Sequence, residues 1–396
     1  MIAIRDWRTW LAWWSLQVPS LRAIVKYAPE GFLPLIPVYL IGTFFLTYWF
    51  IHKFRETRLA QWKWFPIALI LLHVVINVVV YPQADALKYE NRGSPQDDAL
   101  IVGGERLVAG LNPYEGETYR HEWVSAGPGW IVLALPFTLT GLFALFTPFW
   151  VALCAWWIAK RHDTASVSLF LILLFSSLVF WELSVTGSDM LAMGCAFLLS
   201  LVLLDWSKTR GWVAKSLTAL FAASLTTSRI VFAFLLPLQA AFLYHRKKRD
   251  GIFYGLLAIL LFVLIQLPFY LWNSARFFPL TRFAWAKGML GTEFEILAVI
   301  TTILVLIYAA MKKGRLQAAD TGSLKSCLSM TVLTLLVTMF WSALGDLKAR
   351  EFDLALWEGA NYFGPLIPAA VVVAIAEKSK IENRKSNNEK CSRHGS

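Results

Sequence analysis

Two adjacent carboxylates, Asp97 and Asp98, lie in a polar segment that follows a long apolar run at residues 64–82. A run of that length can cross a bilayer, and ionisable groups at the mouth of a membrane helix are rarely without a use. Carboxylates are suited to removing a proton from a hydroxyl group. The pair is therefore the first candidate for a functional site, and capping of a helix N-terminus is its structural alternative.

The carboxylate pair belongs to a long acidic loop at residues 83–127. Loops of this length in compact proteins are usually functional or disordered. Apolar residues recur at helical spacing over residues 99–109, and Gly110 follows them as a helix stop. We expect a helix that lies along the membrane surface, with Asp97 and Asp98 at its N-terminus.

The composition is typical of a helical membrane protein. The chain has 396 residues, of which 16% are charged and 19 are tryptophan, and its mean hydropathy is +0.55. The net charge of +11 comes from Lys and Arg in short clusters between apolar runs, which indicates membrane topology and not nucleic-acid binding. The 4 cysteines show no metal-ligand spacing.

The apolar runs predict an all-α polytopic bundle of about 9–12 transmembrane helices. They occupy residues 32–51, 64–82, 128–159, 167–186, 190–204, 216–244, 252–272, 294–311, 324–344 and 362–376. The run at 128–159 contains Pro136, Gly141 and Pro148, and it is read as one kinked helix or two short ones. The run at 216–244 begins and ends beside basic clusters, so it is read as a helix pair.

Flanking charges set the expected domains and orientation. Residues 1–31 are predicted to form an amphipathic interfacial segment, 32–376 the membrane domain, and 377–396 a disordered cytoplasmic tail. The basic loop after residue 51 is expected in the cytoplasm, so the loop at 83–127 is expected to be extracytoplasmic. The same count places the N-terminus on the outer side. His73 and Asn77, one turn apart, are read as helix-to-helix hydrogen-bonding residues.

Five segments occur in an order that resembles a known family. They are DDALIVGGERLVAGLNPY from Asp97, TGSDMLAMGCAFLLSLVLL from Thr186, LTTSRIVFAFLLPL from Leu225, LPFYLWNSARFF from Leu267 and NYFGPLIP from Asn361. Together they resemble the GT-C superfamily of integral-membrane glycosyltransferases, which use a sugar on a polyprenyl phosphate. The chain departs from that pattern at Ser188, where glutamine is usual, and at Asn361, where arginine is usual.

The resemblance implies a GT-C-like bundle with an extracytoplasmic interfacial helix in the first large loop. It implies transfer of a mannose-like hexose from a polyprenyl-phosphate carrier to a lipid or glycan acceptor. Asp97 is then the general base, and Asp98 orients the acceptor or helps to hold a divalent Mg or Mn ion. Asn112, Tyr114 and the Asn361–Tyr362 pair are assigned to substrate or phosphate binding on the same ground.

Basic residues on the expected outer side are candidates for binding the lipid phosphate. Arg276, Arg282 and Lys287 make the loop at 273–293 basic, against the usual topology bias. Interfacial snorkelling is the alternative explanation for them.

Arg229, at the apex of an apolar helix pair, is a sharper candidate, because a lone arginine there requires a phosphate or carboxylate partner. Its alternative is an internal salt bridge, with Asp189 or Glu182 as the carboxylate.

Two other functions fit the composition. A transporter or flippase for a lipid-linked sugar or polar solute is one, although the sequence shows neither internal repeats nor carboxylates near the bilayer midplane. A non-catalytic scaffold of the same fold is the other; the residues at 188 and 361 keep it open, and the intact Asp97 and Asp98 weigh against it. In each case the chain is expected to be an integral plasma-membrane protein, with its site on the extracytoplasmic face.

Overall fold

The computed structural model describes residues 6–90, 93–277, 300, 303–304, 327–337, 340, 347 and 361–376. Within these residues the elements are helices, and the one pairing of extended backbone is an isolated bridge between Glu117 and Trp123. The predicted phosphate ligands Arg282 and Lys287 lie outside the described residues, as do the tail at 377–396, most of the predicted span at 294–311 and part of the one at 324–344.

The described residues form sixteen α-helices. They are α1 Trp7–Gln17, α2 Ser20–Tyr27, α3 Ile36–His52, α4 Arg58–Gln61, α5 Phe65–Ala86, α6 Pro95–Val108, α7 Pro128–Thr138, α8 Phe146–Arg161, α9 Thr164–Phe175, α10 Leu178–Val185, α11 Met190–Ser207, α12 Trp212–Thr226, α13 Leu235–Arg246, α14 Lys248–Trp272, α15 Cys327–Val337 and α16 Phe363–Ala376. We call the end of the bundle that carries His52 and Arg55 the basic end, and the end that carries Asp97 and Asp98 the acidic end.

Five helices of the described part are long and apolar enough to cross a membrane. They are Gly31–His52, Phe65–Ala86, Phe143–Arg161, Met190–Ser207 and Lys248–Trp272. A sixth is added if α9 and α10, which meet at an angle of 80°, form one broken span. The all-α class and the presence of several membrane-length helices are thus confirmed, whereas the total of about 9–12 spans and the GT-C-like bundle stay predictions.

The apolar run at 128–159 forms two separate helices. Gly141, in the connection after α7, has a left-handed backbone with φ of 69°, and this turn keeps α7 from continuing into α8. Only the second part, Phe143–Arg161, has membrane length, and α7 packs against α6. The run therefore supplies one candidate crossing, in agreement with the odd number expected.

The centre of the bundle is α11, which packs against α8, α12 and α16. It is apolar around its whole circumference, as expected for a helix in a protein core or in a membrane, and most of its residues are buried inside the bundle. Gly194 lets α16 approach closely, since a Cβ atom there would lie 2.7 Å from the carbonyl oxygen of Gly364. The small residue thus sets the distance between these two central helices.

The N-terminal helices are amphipathic and reach from one end of the bundle towards the other. In α1, Trp7 is exposed and Leu16 is buried, and the amphipathic interfacial segment expected at residues 1–31 stays a prediction. Asp6, which caps α1, contacts His52 at 2.7 Å, and Arg22 on α2 donates a hydrogen bond to Asn361. The start of α1 therefore lies at the basic end, contrary to the expected outer position. Sequence periodicity and helix length do not predict that the segment extends along the bundle, because α1 and α2 are each too short to cross a membrane. Their position relative to a membrane stays a prediction.

Candidate active site

The helix that carries the carboxylate pair begins one turn earlier than its apolar periodicity indicates. Ser94 is the N-cap, its Oγ accepting the backbone N–H of Gln96 at 3.2 Å, and Pro95 occupies the first helical position. Asp97 and Asp98 therefore lie in the first turn of α6 and not at its cap. The predicted helix is confirmed. Ser94 is the N-cap residue, but Asp97 accepts a further free N–H group of the first turn, that of Asp98, so the structural alternative holds in part.

Asp97 is a buried carboxylate with two hydrogen-bond donors. Its side chain is on the inner face of α6, and the residue is 1% exposed. Oδ2 accepts the hydroxyl of Tyr81 at 3.0 Å, and Oδ1 accepts the backbone N–H of Asp98 at 2.9 Å. Burial, reinforced by the neighbouring charge of Asp98, raises the pKa of Asp97 well above its ordinary value. Such a group is suited to exchanging a proton near neutral pH.

A glycine in the turn between α10 and α11 makes room for this carboxylate. Gly187 has φ of 80°, and a Cβ atom there would lie 2.5 Å from Oδ2 of Asp97 and 2.7 Å from Cε2 of Tyr81. The next residue, Ser188, donates a hydrogen bond to the side chain of Gln96. The turn between α10 and α11 therefore contacts the start of α6 at two neighbouring residues, Asp97 and Gln96.

Both side-chain oxygens of Asp98 accept hydrogen bonds from neighbouring segments. Its Oδ1 accepts from Nζ of Lys88 at 2.9 Å, and its Oδ2 accepts the backbone N–H of Tyr119 at 3.0 Å. Lys88 also lies 3.2 Å from Asp85. Burial alone would lower the pKa of Lys88, but its bonds to Asp98 and Asp85 raise it, so the lysine stays charged. Asp98 therefore connects α5, α6 and the loop before α7.

The residues around Asp98 do not fit a divalent metal ion. Mg²⁺ and Mn²⁺ require several oxygen ligands, and across the described ranges no group of three or more His, Cys, Asp or Glu side chains is placed to hold an ion. Both carboxylate oxygens of Asp98 already accept hydrogen bonds, one of them from the cationic Lys88. A divalent cation at this carboxylate would have to displace that ammonium group.

Arg229 and Asp189 form an internal ion pair. Nη2 of Arg229 lies 3.4 Å from Oδ1 of Asp189, whose Oδ2 accepts the indole N–H of Trp130 at 2.9 Å. Asp189 is 0% exposed. The salt bridge that the sequence offered as the alternative role of Arg229 is confirmed with Asp189 as the partner. A role of either residue in phosphate binding stays a prediction.

Breaking this pair from one side is expected to destabilise the protein strongly. In Arg229→Gln the carboxylate of Asp189 stays buried without its cation, a change that typically lowers stability by about 3–5 kcal/mol. The double variant Arg229→Gln with Asp189→Asn is expected to recover part of the loss, because the buried charge is also removed. Thermal aggregation of the detergent-solubilised variants would measure this. A double variant less stable than Arg229→Gln would contradict the pairing.

Two predicted binding residues, Asn112 and Tyr114, make structural contacts within the loop that follows α6. The side-chain oxygen of Asn112 accepts the backbone N–H of Tyr114 at 2.9 Å, which caps the short turn Pro113–Glu115. Tyr114 is 0% exposed, and its ring packs edge-to-face against Phe269 and Phe277. Their assignment to substrate binding stays a prediction.

The other predicted phosphate ligands are dispersed. Arg276 is exposed, with its guanidinium 3.9 Å from the ring centroid of Trp123. Asn361 accepts a hydrogen bond from Arg22, and the ring of Tyr362 lies 6.4 Å from that of Phe232. Asn361 is thus in contact with the cationic side chain of Arg22.

Sequence reasoning missed Tyr81, Gly187 and the cations Arg22, Lys26 and Arg120. A usable signal existed for two of them, since Arg22 and Lys26 are four residues apart and so share one face of α2. Glu182, expected near Arg229, instead lies 3.7 Å from each of these two cations.

A buried polar network joins the two helices that flank the site. His73 Nε2 lies 2.8 Å from Oγ of Ser184, which donates to Asn77 Oδ1 at 2.9 Å. The predicted helix-to-helix role of His73 and Asn77 is confirmed, with α10 as the partner. The network fixes α5, which carries Tyr81, against α10.

Surface depressions near Arg55 and Asp163, and near Arg58 and Trp62, lie at the basic end, away from Asp97. Comparisons of the chain with protein-family models, with curated proteins and with solved structures found no match.

Proposed function

We propose that this protein is a membrane glycosyltransferase that transfers a hexose from a polyprenyl-phosphate carrier to a lipid or glycan acceptor. The observation that supports the proposal most is the placement of Asp97. It is a buried carboxylate with a raised pKa, at the start of a surface helix and at the end of a bundle of membrane-length helices. The family resemblance, read from five ordered segments, supplies the reaction class.

In the proposed reaction Asp97 is the general base. The acceptor hydroxyl loses its proton to Asp97 while its oxygen forms a bond to the anomeric carbon of the sugar. The bond between that carbon and the phosphate oxygen breaks, and the phosphate keeps the electron pair. Attack from the side opposite the phosphate inverts the anomeric configuration. Tyr81 orients the carboxylate through its hydrogen bond to Oδ2.

Asp98 is proposed to position the loop around Tyr119, because its carboxylate accepts the N–H of Tyr119 and so holds this loop against the start of α6. The acidic end of the bundle is proposed to face away from the cytoplasm, because the opposite end carries the basic loop after His52. The carrier's lipid tail would then lie between the membrane helices, with its phosphate at the acidic end.

Transfer is expected to persist when divalent ions are removed. Among the described residues, the carboxylates near Asp97 do not form a metal site, and both oxygens of Asp98 accept hydrogen bonds, one from Lys88 and one from the N–H of Tyr119. Purified protein dialysed against EDTA should therefore transfer sugar at the rate of the untreated enzyme, and added Mg²⁺ or Mn²⁺ should not raise that rate. Loss of transfer in EDTA with recovery on adding Mn²⁺ would refute this expectation.

The direct test is incorporation of radiolabelled hexose from a polyprenyl-phosphate donor into membrane material by the purified protein in vesicles. Labelled product that requires the protein would support the proposal. If no donor is used, while the vesicles take up a lipid-linked sugar, the protein is a transporter and the proposal fails.

A further inference from the structure

Two exposed tryptophan residues near the ends of α11 and α12 each lie beside a guanidinium group. Cζ of Arg210 is 4.2 Å from the ring centroid of Trp206, and Cζ of Arg249 is 5.4 Å from the ring centroid of Trp212. Both arginine residues are exposed as well. We call Trp206, Arg210, Trp212 and Arg249 the tryptophan–arginine patch. Contact with an aromatic face restricts the motion of a guanidinium group without using its N–H donors.

The tryptophan–arginine patch lies at the basic end of the bundle. Arg55, which marks that end, pairs with Asp163 at 2.8 Å. In the same connection between α8 and α9, Arg161 pairs with Asp205 at 2.9 Å. Asp205 is the residue before Trp206. The connection between α11 and α12 is therefore beside Arg55 and opposite the acidic end.

One buried lysine joins the two tryptophan–arginine pairs. Nζ of Lys215 donates to the carbonyl oxygen of Arg210 at 2.8 Å and lies 5.7 Å from the ring centroid of Trp212. The same Nζ is 2.9 Å from Oδ2 of Asp250 at the start of α14. The rings of Trp212 and Phe253 are 4.2 Å apart. These contacts hold the connection between α11 and α12 against the first turns of α14, so the two pairs belong to one surface.

This surface has an excess of positive charge. The acidic residues next to it in sequence, Asp205 and Asp250, are already in ion pairs, with Arg161 and Lys215 respectively. They therefore do not neutralise the two guanidinium groups of the tryptophan–arginine patch. Lys248, exposed at the start of α14, adds a further positive charge. The surface is thus complementary to an anion.

Exposed apolar side chains continue from the tryptophan–arginine patch along the bundle. On α12 they are Val213, Leu217 and Leu220, and on α14 they are Ile252 and Leu256. Each set recurs at helical spacing and so forms one stripe. The membrane-length helix α11 ends at the patch, and the membrane-length helix α14 begins there. A bilayer crossed by these two helices places the patch among the lipid headgroups and the stripes among the acyl chains.

We propose that the tryptophan–arginine patch binds the headgroup phosphate of an anionic phospholipid, whose acyl chains lie on the apolar stripes of α12 and α14. Guanidinium groups are well suited to donate to phosphate oxygens, and tryptophan is favoured at the level of the headgroups. A soluble phosphate ester has no part that matches the stripes, so a lipid is the better partner. This site is at the opposite end of the bundle from Asp97 and does not depend on the proposed function.

The test is titration of dioleoyl phosphatidylglycerol into the detergent-solubilised full chain, with bound lipid counted by native mass spectrometry. Arg210→Gln and Arg249→Gln are each expected to weaken binding about five-fold, the effect of one cation at a membrane surface, and the double variant about 25-fold. The matched control is Lys63→Gln. Lys63 is an exposed cation 5.5 Å from the ring centroid of Trp64, at the same end but at the start of α5. The control should bind like the wild type.

A second readout is thermal stability, because a ligand that binds the folded protein raises its melting temperature. Phosphatidylglycerol should raise the melting temperature of the wild type and of Lys63→Gln by more than that of the double variant. Phosphatidylcholine with the same acyl chains has no net charge and should affect all three proteins equally. Both substituted arginine residues are exposed, so the variants are expected to fold.

Equal affinity of the wild type for the two lipids would overturn the inference. Equal weakening by Lys63→Gln and Arg249→Gln would also do so, because any cation at this end would then attract anionic lipid. Displacement of phosphatidylglycerol by an equal concentration of glycerol 3-phosphate would identify a soluble ligand and exclude the lipid site. Failure to transfer hexose would remove the proposed function and leave these binding results unaffected.

Discussion

Asp97→Asn is expected to reduce hexose transfer by about 10²- to 10⁴-fold, the range typical for loss of a general base. Asparagine keeps the shape of the side chain and one acceptor oxygen for the N–H of Asp98, but it cannot take a proton. The measurement is the initial rate of transfer by purified protein at saturating donor. Glu105→Gln is the matched control, because Glu105 is an exposed carboxylate on the same helix, and its rate should equal that of the wild type.

The same substitution is expected to make the protein more stable at neutral pH, by about 1 kcal/mol or more. Because the folded-state pKa of Asp97 is raised, its contribution to stability is full below the unfolded value of 3.8 and is lost as pH rises through the folded pKa. The gain in melting temperature of Asp97→Asn should therefore be large at pH 7 and vanish towards pH 4. Transfer by the wild type should rise with pH over the same window, since the base must be ionised.

The loss of transfer and the gain in stability expected for Asp97→Asn can each fail independently. Unchanged turnover in Asp97→Asn would remove Asp97 from the reaction, whatever the stability does. A variant that is inactive and also less stable at neutral pH would indicate that the carboxylate is ionised and held by its neighbours, contrary to its raised pKa.

Gly187→Ala is expected to lower transfer about 10²-fold, the effect of displacing a catalytic group by about 1 Å. The added Cβ would lie 2.5 Å from Oδ2 of Asp97 and 2.7 Å from the ring of Tyr81, so both side chains must move. The left-handed backbone, with φ of 80°, adds about 1–2 kcal/mol of strain for a residue other than glycine. Rates and melting temperatures of purified variants would measure both effects.

Gly141→Ala is the control that distinguishes backbone strain from displacement of the Asp97 side chain. Gly141 has nearly the same backbone, with φ of 69°, yet nothing lies within 4 Å of a Cβ atom placed there. The control should lose stability by a similar strain, about 1–2 kcal/mol, and keep full transfer. If both alanine variants lose the same fraction of activity, the contact between Gly187 and Asp97 has no role in positioning the base.

The candidate base and its helix could be predicted from local signals. Apolar residues at helical spacing predicted α6, and Gly110, with φ of 70°, ends it as expected. The partners of Asp97 could not be predicted in this way. Tyr81 lies 16 residues earlier on a membrane-length helix, where an aromatic residue is ordinary, and Gly187 is on a turn 90 residues later. Neither position has a local pattern that points to a carboxylate.

The contacts of Arg22 and Lys26 show the same limit more strongly. Both residues lie on α2 and contact Glu182 on α10, and Arg22 also contacts Asn361 across 339 residues of sequence. Each is a plausible surface charge in its own segment. Only the packing of α2 against α10, and of α1 against α16, brings them to one end of the bundle.

The sequence alone determined the helical class, the membrane-length helices, and the helix α6 with the carboxylate pair on it. These follow from the length of apolar runs and from helical periodicity, which are local properties of the chain. The tertiary structure decided which helices are neighbours, and hence the burial of Asp97, its contact with Gly187, the pairing of Arg229 with Asp189 and the contacts of Arg22 and Lys26 with Glu182. The physical reason is that apolar membrane helices are nearly equivalent in hydropathy, so their neighbours are selected by close packing at small residues such as Gly194 and by buried hydrogen bonds such as that between His73 and Ser184.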